Sequence, residues 1–231
     1  MKHRVQRSRI RVFLCLALLC NILVLSSACK KPELPPGTEA AKVPLVVRGT
    51  GADLYSVFDD EQKVKVDFTR TNNELAVSPG VYTLLMNESR LQVTVREGIR
   101  EEVQAGSLIV NGSGIDLYEL YDGNGREKMD FRYTGKGVEV FPGTYQVFLH
   151  GVGRKVTAKA GSREVLETGT LAVGGTGKEL YYVYDEEENK KLVFRSVGKE
   201  IEMFSGTYIV VVQDKKYTGT VKAKEKTVIV P

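Results

Sequence analysis

Tryptophan is absent from the sequence, histidine occurs only at His3 and His150, and all three cysteines fall within the first 29 residues, at 15, 20 and 29. From residue 30 onward there is no thiol, hence no disulfide, no thiolate ligand for zinc and no cysteine nucleophile. A lone histidine beyond the first residues excludes zinc, copper and haem sites of the usual composition. A Ser-His-Asp mechanism would rest wholly on His150. Also missing is any stretch with convincing helical periodicity, which leaves β-structure as the expected architecture.

Acids are missing at the start. Residues 2–11 carry Lys2, Arg4, Arg7, Arg9 and Arg11 with no Asp or Glu, and an apolar run, Val12 to Leu25, follows with Asn21 as its one interruption. This is the layout of a secretory signal. At about 14 residues the run is short of the roughly 20 that a membrane span needs. Leu25-Ser26-Ser27-Ala28-Cys29 resembles a bacterial lipobox, matching at Ser27, Ala28 and Cys29 and departing at Ser26, where most such signals have leucine. Cys15 and Cys20 each follow a leucine and do not fit. The resemblance implies a signal peptide over 1–28, a lipid (palmitate among its chains) on Cys29, and attachment to a membrane through it. Lys30, in place of aspartate, is similar to an outer-membrane sorting pattern, facing the periplasm or the cell surface.

The formal charge of +4 belongs to that leader. Without its five basic residues, 28 Lys and Arg stand against 29 Asp and Glu. The usual inference from a basic chain to nucleic acid therefore fails. Residues 29–43 hold Pro32, Pro35, Pro36 and Gly37 without apolar periodicity, with Pro44 just beyond. They read as a semi-rigid tether reaching about 40 Å at roughly 3.1 Å per residue.

The remainder repeats itself. LVVRGTGADLYSVFDD starts at Leu45, LIVNGSGIDLYELYDG at Leu108 and LAVGGTGKELYYVYDE at Leu171, an offset of 63 residues both times, without insertion or deletion. Columns identical in all three copies include Gly49/112/175, Tyr55/118/181, Asp59/122/185, Lys65/128/191, Phe68/131/194 and Tyr82/145/208. Each copy reads as seven short strands, in the second SLIVNG, IDLYELYD, REKMDFRYT, GVEVF, TYQVFLH, RKVTAKA and REVLETG. The expected fold is all-β: three tandem, small, seven-stranded β-sandwich (or partly open barrel) repeats at 44–105, 106–168 and 169–231. A 60-residue unit is marginally stable alone. The links at Ala105-Gly106-Ser107 and Thr168-Gly169 are short, so neighbours are expected to touch, as in a stiff rod.

The segments SPGVY, FPGTY and FSGTY, each followed by a polar turn and a Val-Thr-rich strand, resemble prealbumin-like and PEGA-type domains of bacterial envelope proteins. The likeness covers about the last half of each copy, and the Pro-Glu-Gly-Ala string that names the second family is absent. It implies non-catalytic spacer or adhesive modules and no particular ligand.

Motifs that suggest chemistry dissolve on comparison between copies. YDGNG at Tyr121–Gly125 opens like a calcium loop, but its counterparts are FDDEQ and YDEEE, and the twelfth position of such a loop holds Tyr133. Asn124-Gly125 is instead expected to form a type I′ hairpin turn. His150 replaces Asn87 and Gln213 and reads as a polar strand end. The acidic columns 53/116/179 and 59/122/185 lie six residues apart on one strand, roughly 20 Å if extended, too far for a catalytic carboxylate pair. In GGTGKE (Gly174–Glu179), Glu179 stands where a phosphate loop needs Ser or Thr, and Asp185–Glu188 reads as a solvated loop. The two tyrosine columns are expected in the core. Tyr182 stands outside them, replacing Ser56 and Glu119, and is the candidate exposed recognition residue.

No catalytic residue, metal ligand or cofactor is assigned. The expected function is that of a membrane-anchored, non-catalytic envelope lipoprotein whose modules space or bind an envelope protein or glycan. The alternative is a surface-exposed adhesin toward host or matrix.

Overall fold

Residues 41–231 are described by the computed structural model; the expected signal peptide, Cys29 and the expected tether through residue 40 lie outside them. In the first copy the strands are β1 (Val43–Arg48), β2 (Leu54–Asp59), β3 (Lys65–Arg70), β4 (Glu74–Val77), β5 (Gly80–Met86), β6 (Ser89–Val95) and β7 (Glu101–Gln104). They form two sheets, ordered β3-β2-β5-β6 and β4-β1-β7. The first is antiparallel throughout, while β7 runs parallel to β1.

The second copy supplies β8 (Gly106–Asn111), β9 (Leu117–Asp122), β10 (Lys128–Tyr133), β11 (Gly137–Val140), β12 (Gly143–Leu149), β13 (Val152–Ala158) and the first part of β14 (Arg163–Val173). The third takes the rest of β14, then β15 (Leu180–Tyr184), β16 (Lys191–Ser196), β17 (Glu200–Phe204), β18 (Gly206–Val212), β19 (Lys215–Val221) and β20 (Lys226–Ile229). Both repeat the same two sheets. The protein is all-β, a tandem array of β-sandwich modules.

Alternation places the cores. In β5, β12 and β18 the side chains Tyr82, Leu84 and Met86, then Tyr145, Val147 and Leu149, then Tyr208, Val210 and Val212 point inward. Each tyrosine ring is buried while its hydroxyl donates to a carbonyl four residues back: Tyr82 to Ser78 at 2.7 Å, Tyr145 to Phe141 at 2.6 Å, Tyr208 to Phe204 at 2.7 Å. The intervening glycine leaves room for that ring: a Cβ on Gly143 would sit 3.3 Å from the Tyr145 hydroxyl. The other column behaves alike. Tyr55, Tyr118 and Tyr181 are fully buried and donate to Asn73 at 3.1 Å, Lys136 at 2.8 Å and Lys199 at 2.7 Å.

The turn at YDGNG is present but is not type I′. Gly125 takes φ 69° and Asn124 does not take positive φ; the equivalent residues Gln62 and Glu188 take 57° and 59°. The invariant aspartate shapes this loop. Asp122 Oδ1 accepts the amides of Arg126 at 2.7 Å and Glu127 at 3.1 Å; Asp59 likewise accepts those of Lys63 and Val64, and Asp185 accepts that of Lys190 at 3.1 Å. The amides of Glu127 and Arg126 hold the Asp122 carboxyl below the usual range. Two successive positive φ values, the signature of type I′, occur instead at Asn87-Glu88, His150-Gly151 and Gln213-Asp214, between β5 and β6 and their equivalents.

Neighbouring modules are locked together, and one expectation changes. Thr168-Gly169 is no loop: β14 runs through it unbroken, pairing first with β8 and then with β17 and β20. Across the first junction Glu139 and Asp53 exchange backbone bonds, each carboxylate accepting the other's amide at 2.8 Å. Glu139 also accepts from Thr50 N and from Thr71 Oγ1 at 2.9 Å, and Arg132 pairs with Asp53 at 3.1 Å. The second junction repeats this with Glu202, Asp116, Ser113, Thr134 and Arg195. Here His150 Nε2 adds a contact to Asp116 at 3.1 Å. Burial pushes the Asp116 carboxyl up, but the neighbouring His150 ring, the Glu202 amide and the Arg195 charge outweigh this and hold it below the usual carboxylate range. Phe141 and Phe204 are apolar plugs, each sunk in the core of the preceding module. Residues 40–231 accordingly form one compact unit.

Candidate binding surface

With the junctions fixed, the four-stranded sheet of each module turns one face to the core and the other outward. Cross-strand pairing identifies the outward set. Phe68 lies opposite Ser56, Phe131 opposite Glu119 and Phe194 opposite Tyr182. These three phenylalanines, identical in all copies, are 56%, 56% and 54% exposed. Beside them Leu54, Leu117 and Leu180 are exposed too.

The invariant lysine joins them through a backbone irregularity. Lys and Phe stand three residues apart, so simple alternation would put them on opposite faces. In all three sheets the register slips by one residue between them, so that Lys65, Lys128 and Lys191 pair with Phe58, Tyr121 and Tyr184. A bulge of this kind re-aims a side chain. Lys65 Nζ thereby comes within 4.3 Å of the Phe68 ring centroid, Lys128 within 5.4 Å of Phe131 and Lys191 within 5.5 Å of Phe194.

Tyr182 is on this surface. It is half-buried rather than fully exposed, with its ring 6.2 Å from that of Phe194 and Lys191 Nζ 3.9 Å above it. In the second module the space is filled differently, with Lys128 paired to Glu119 and Tyr121 set edge-on to Phe148 at 5.1 Å. The outward strand positions are basic: Lys65, Arg70 and Arg90, then Lys128 and Lys155, then Lys191 and Lys216, against the single strand acid Glu119, which pairs with Lys128, while Glu188 of the adjoining loop pairs with Lys216. Such a face offers flat apolar rings flanked by ammonium groups, suited to a ligand with an apolar side and negative charge.

The other candidates have structural tasks. Asp53 and Asp116 hold the junctions, and Asp59, Asp122 and Asp185 cap turns, so the two acidic columns converge on no common site. Among the described residues no group of three or more His, Cys, Asp or Glu is arranged to hold a metal ion. Clefts of about 220 and 350 Å³ open beside the junctions, the second edged by Lys224 and Lys226, which are already paired to Glu167 and Glu200. The sequence signal for the outward platform was the Lys-x-x-Phe column itself, invariant yet out of step with strand alternation.

No family model and no curated protein matches the chain. Solved structures that overlap it include the Bacillus anthracis TIE protein, at 12% identity and a TM-score of 0.25 over 83% of this chain and 50% of that one. Another is the pilus adhesin SpaC from Lactobacillus rhamnosus GG in its open conformation, at 7% identity and 0.21 over 82% and 43%. The chain spans half or less of these structures, and overlap at such scores carries no argument about function.

Proposed function

We propose that the protein is a lipid-anchored envelope component, attached through Cys29, whose three modules form a non-catalytic spacer that binds an envelope protein or glycan through their outward faces. The observation that supports this most is the bulged Lys–Phe pair. It recurs in every module, it is exposed, and neither core nor junction needs it. The signal-like sequence of residues 1–28 supports a surface carried outside the cytoplasm, and the likeness of the Pro-Gly-x-Tyr segments to envelope spacer modules supports the same reading. The acidic columns and His150 are occupied by turns and junctions, which favours binding over catalysis.

Anchoring is tested by Cys29→Ser. Metabolic labelling with palmitate should disappear and the chain should leave the membrane fraction; retained label sinks the lipid assignment. Binding is tested by a photo-crosslinking residue placed at 131 in living cells, with mass spectrometry of the adducts. An envelope adduct is expected, and its absence from positions 68, 131 and 194 alike would remove the outward faces from the reading. Protease treatment of intact cells separates a periplasmic array, which is spared, from a surface adhesin, which is shaved.

A further inference from the structure

We infer that each Lys–Phe platform is a subsite for an acidic sugar and that the three together hold one acidic polysaccharide. This rests on the outward faces being the binding surface and names what binds there. Phenylalanine has no polar group, so its exposed ring contributes only a flat apolar area; the C–H face of a pyranose ring is its natural complement. The ammonium groups of Lys65 and Lys191, 4.3 and 5.5 Å from their ring centroids and without an ion-pair partner among the described residues, select a sugar carrying a carboxylate, sulfate or phosphate at its rim, while Lys128, 5.4 Å from Phe131, must exchange Glu119 for that group. The chain beyond its leader is nearly neutral, with 28 basic and 29 acidic residues, so the basic outward strands are a local concentration of charge.

Recurrence identifies a polymer. One ring and one ammonium hold a monosaccharide weakly, but subsites repeated in modules that are locked together meet a ligand that itself repeats, and linked contacts multiply. A protein partner would call for a broad apolar centre with a dry core, whereas the apolar area of each face is a narrow strip, a phenylalanine with one leucine beside it, edged by lysine. Single-stranded nucleic acid shares the aromatic and cationic chemistry, and its binding is one of the outcomes the test distinguishes.

The probes are hyaluronan fragments of graded length for the carboxylate arm and chondroitin sulfate for the sulfate arm. Neutral dextran and oligothymidylate are controls, all titrated against the full-length chain in detergent. Affinity for the acidic polymers should rise with length until the subsites are spanned and should fall as salt is raised. Phe131→Ala should weaken binding of the longest fragment by about tenfold or more, and the triple variant at 68, 131 and 194 should abolish it. Unchanged thermal melting would show that the fold is intact. Lys128→Gln should flatten the salt dependence. Equal binding of dextran, tighter binding of oligothymidylate, independence of length, or an unaffected triple variant each overturns the inference. If no polysaccharide binds while crosslinks from position 131 persist, only the ligand class is wrong; if both are missing, the binding surface itself is.

Discussion

Tyr145 shows what an identical column means at the scale of one residue. Its ring fills the core and its hydroxyl is spent on Phe141 O, so only the neutral form fits; burial pushes its pKa up to about 12, as it does that of Tyr55. Burial raises Tyr82, Tyr118, Tyr181 and Tyr208 as well. An acid whose folded pKa lies above its unfolded value near 10 contributes stability that is complete below pH 10 and is lost as pH climbs through the folded value. Each two-unit shift corresponds to roughly 2–3 kcal/mol, so denaturant midpoints should hold steady to about pH 10 and then drop steeply towards pH 12. Tyr145→Phe should lose about 1 kcal/mol at neutral pH, from the missing hydrogen bond, and show a shallower alkaline decline. An equally steep decline would mean that Tyr145 is not among the titrating groups. The tyrosines were legible in the sequence because alternation and identity agreed there. The phenylalanines were not, because a bulge breaks the period of two, and an identical apolar column reads by default as core. The Asn-Gly pair misled for a related reason: its glycine supplies one positive φ, while the paired positive values sit at Asn87-Glu88, His150-Gly151 and Gln213-Asp214, none of which is a full Asn-Gly or Asp-Gly pair.

At the scale of the element, β14 carries the architecture. A strand that is an edge in one module and central in the next leaves no hinge between them. The plug that follows from the same logic is Phe141, fully buried among residues of the first module while β12 and β13 belong to the second. Its amide also donates to Ser89 Oγ at 3.1 Å. The sequence carried this signal too: Ser78, Ala76 and Thr69 stand in the first copy where the later copies have Phe, Glu and Arg. These are differences between repeats, and attention to shared columns passes over them. Phe141→Ala should cost about 3–5 kcal/mol. The loss should appear as earlier unfolding of the first module, splitting one calorimetric transition into two, while Phe131→Ala on the outward face should leave a single transition. No splitting and a loss under about 1 kcal/mol would mean that the plug does not couple the modules.

At the scale of the whole molecule, the two junctions share their carboxylate, threonine and arginine contacts and differ in that His150 and Val152 replace Asn87 and Ser89. The receiving groups Asp53, Thr71, Asn87 and Ser89 of the first module now meet Glu139, Arg132 and Phe141; the third module presents Glu202, Arg195 and Phe204 at the same positions. Gly49 and Gly112 fit the same arrangement, since a Cβ on Gly112 would lie 2.6 Å from a Glu202 carboxylate oxygen and one on Gly49 would collide with Glu139. Deleting residues 107–169 removes one 63-residue period and joins Gly106 to Thr170, as Gly169 is joined to it now. In an array whose stability is a sum over modules and nearest-neighbour interfaces, the product should be a folded two-module chain with one native junction, unfolding in one transition at lower temperature than the parent. Asp53→Asn in that shortened chain should then weaken it by about 3 kcal/mol, because the Arg195 guanidinium loses its charge partner and the one remaining carbonyl oxygen cannot serve both it and the Glu202 amide. Differential scanning calorimetry of the two shortened chains decides the matter. Two independent transitions, or indifference to Asp53→Asn, would show that the third module does not dock on the first, and that something specific to the middle copy holds the array together.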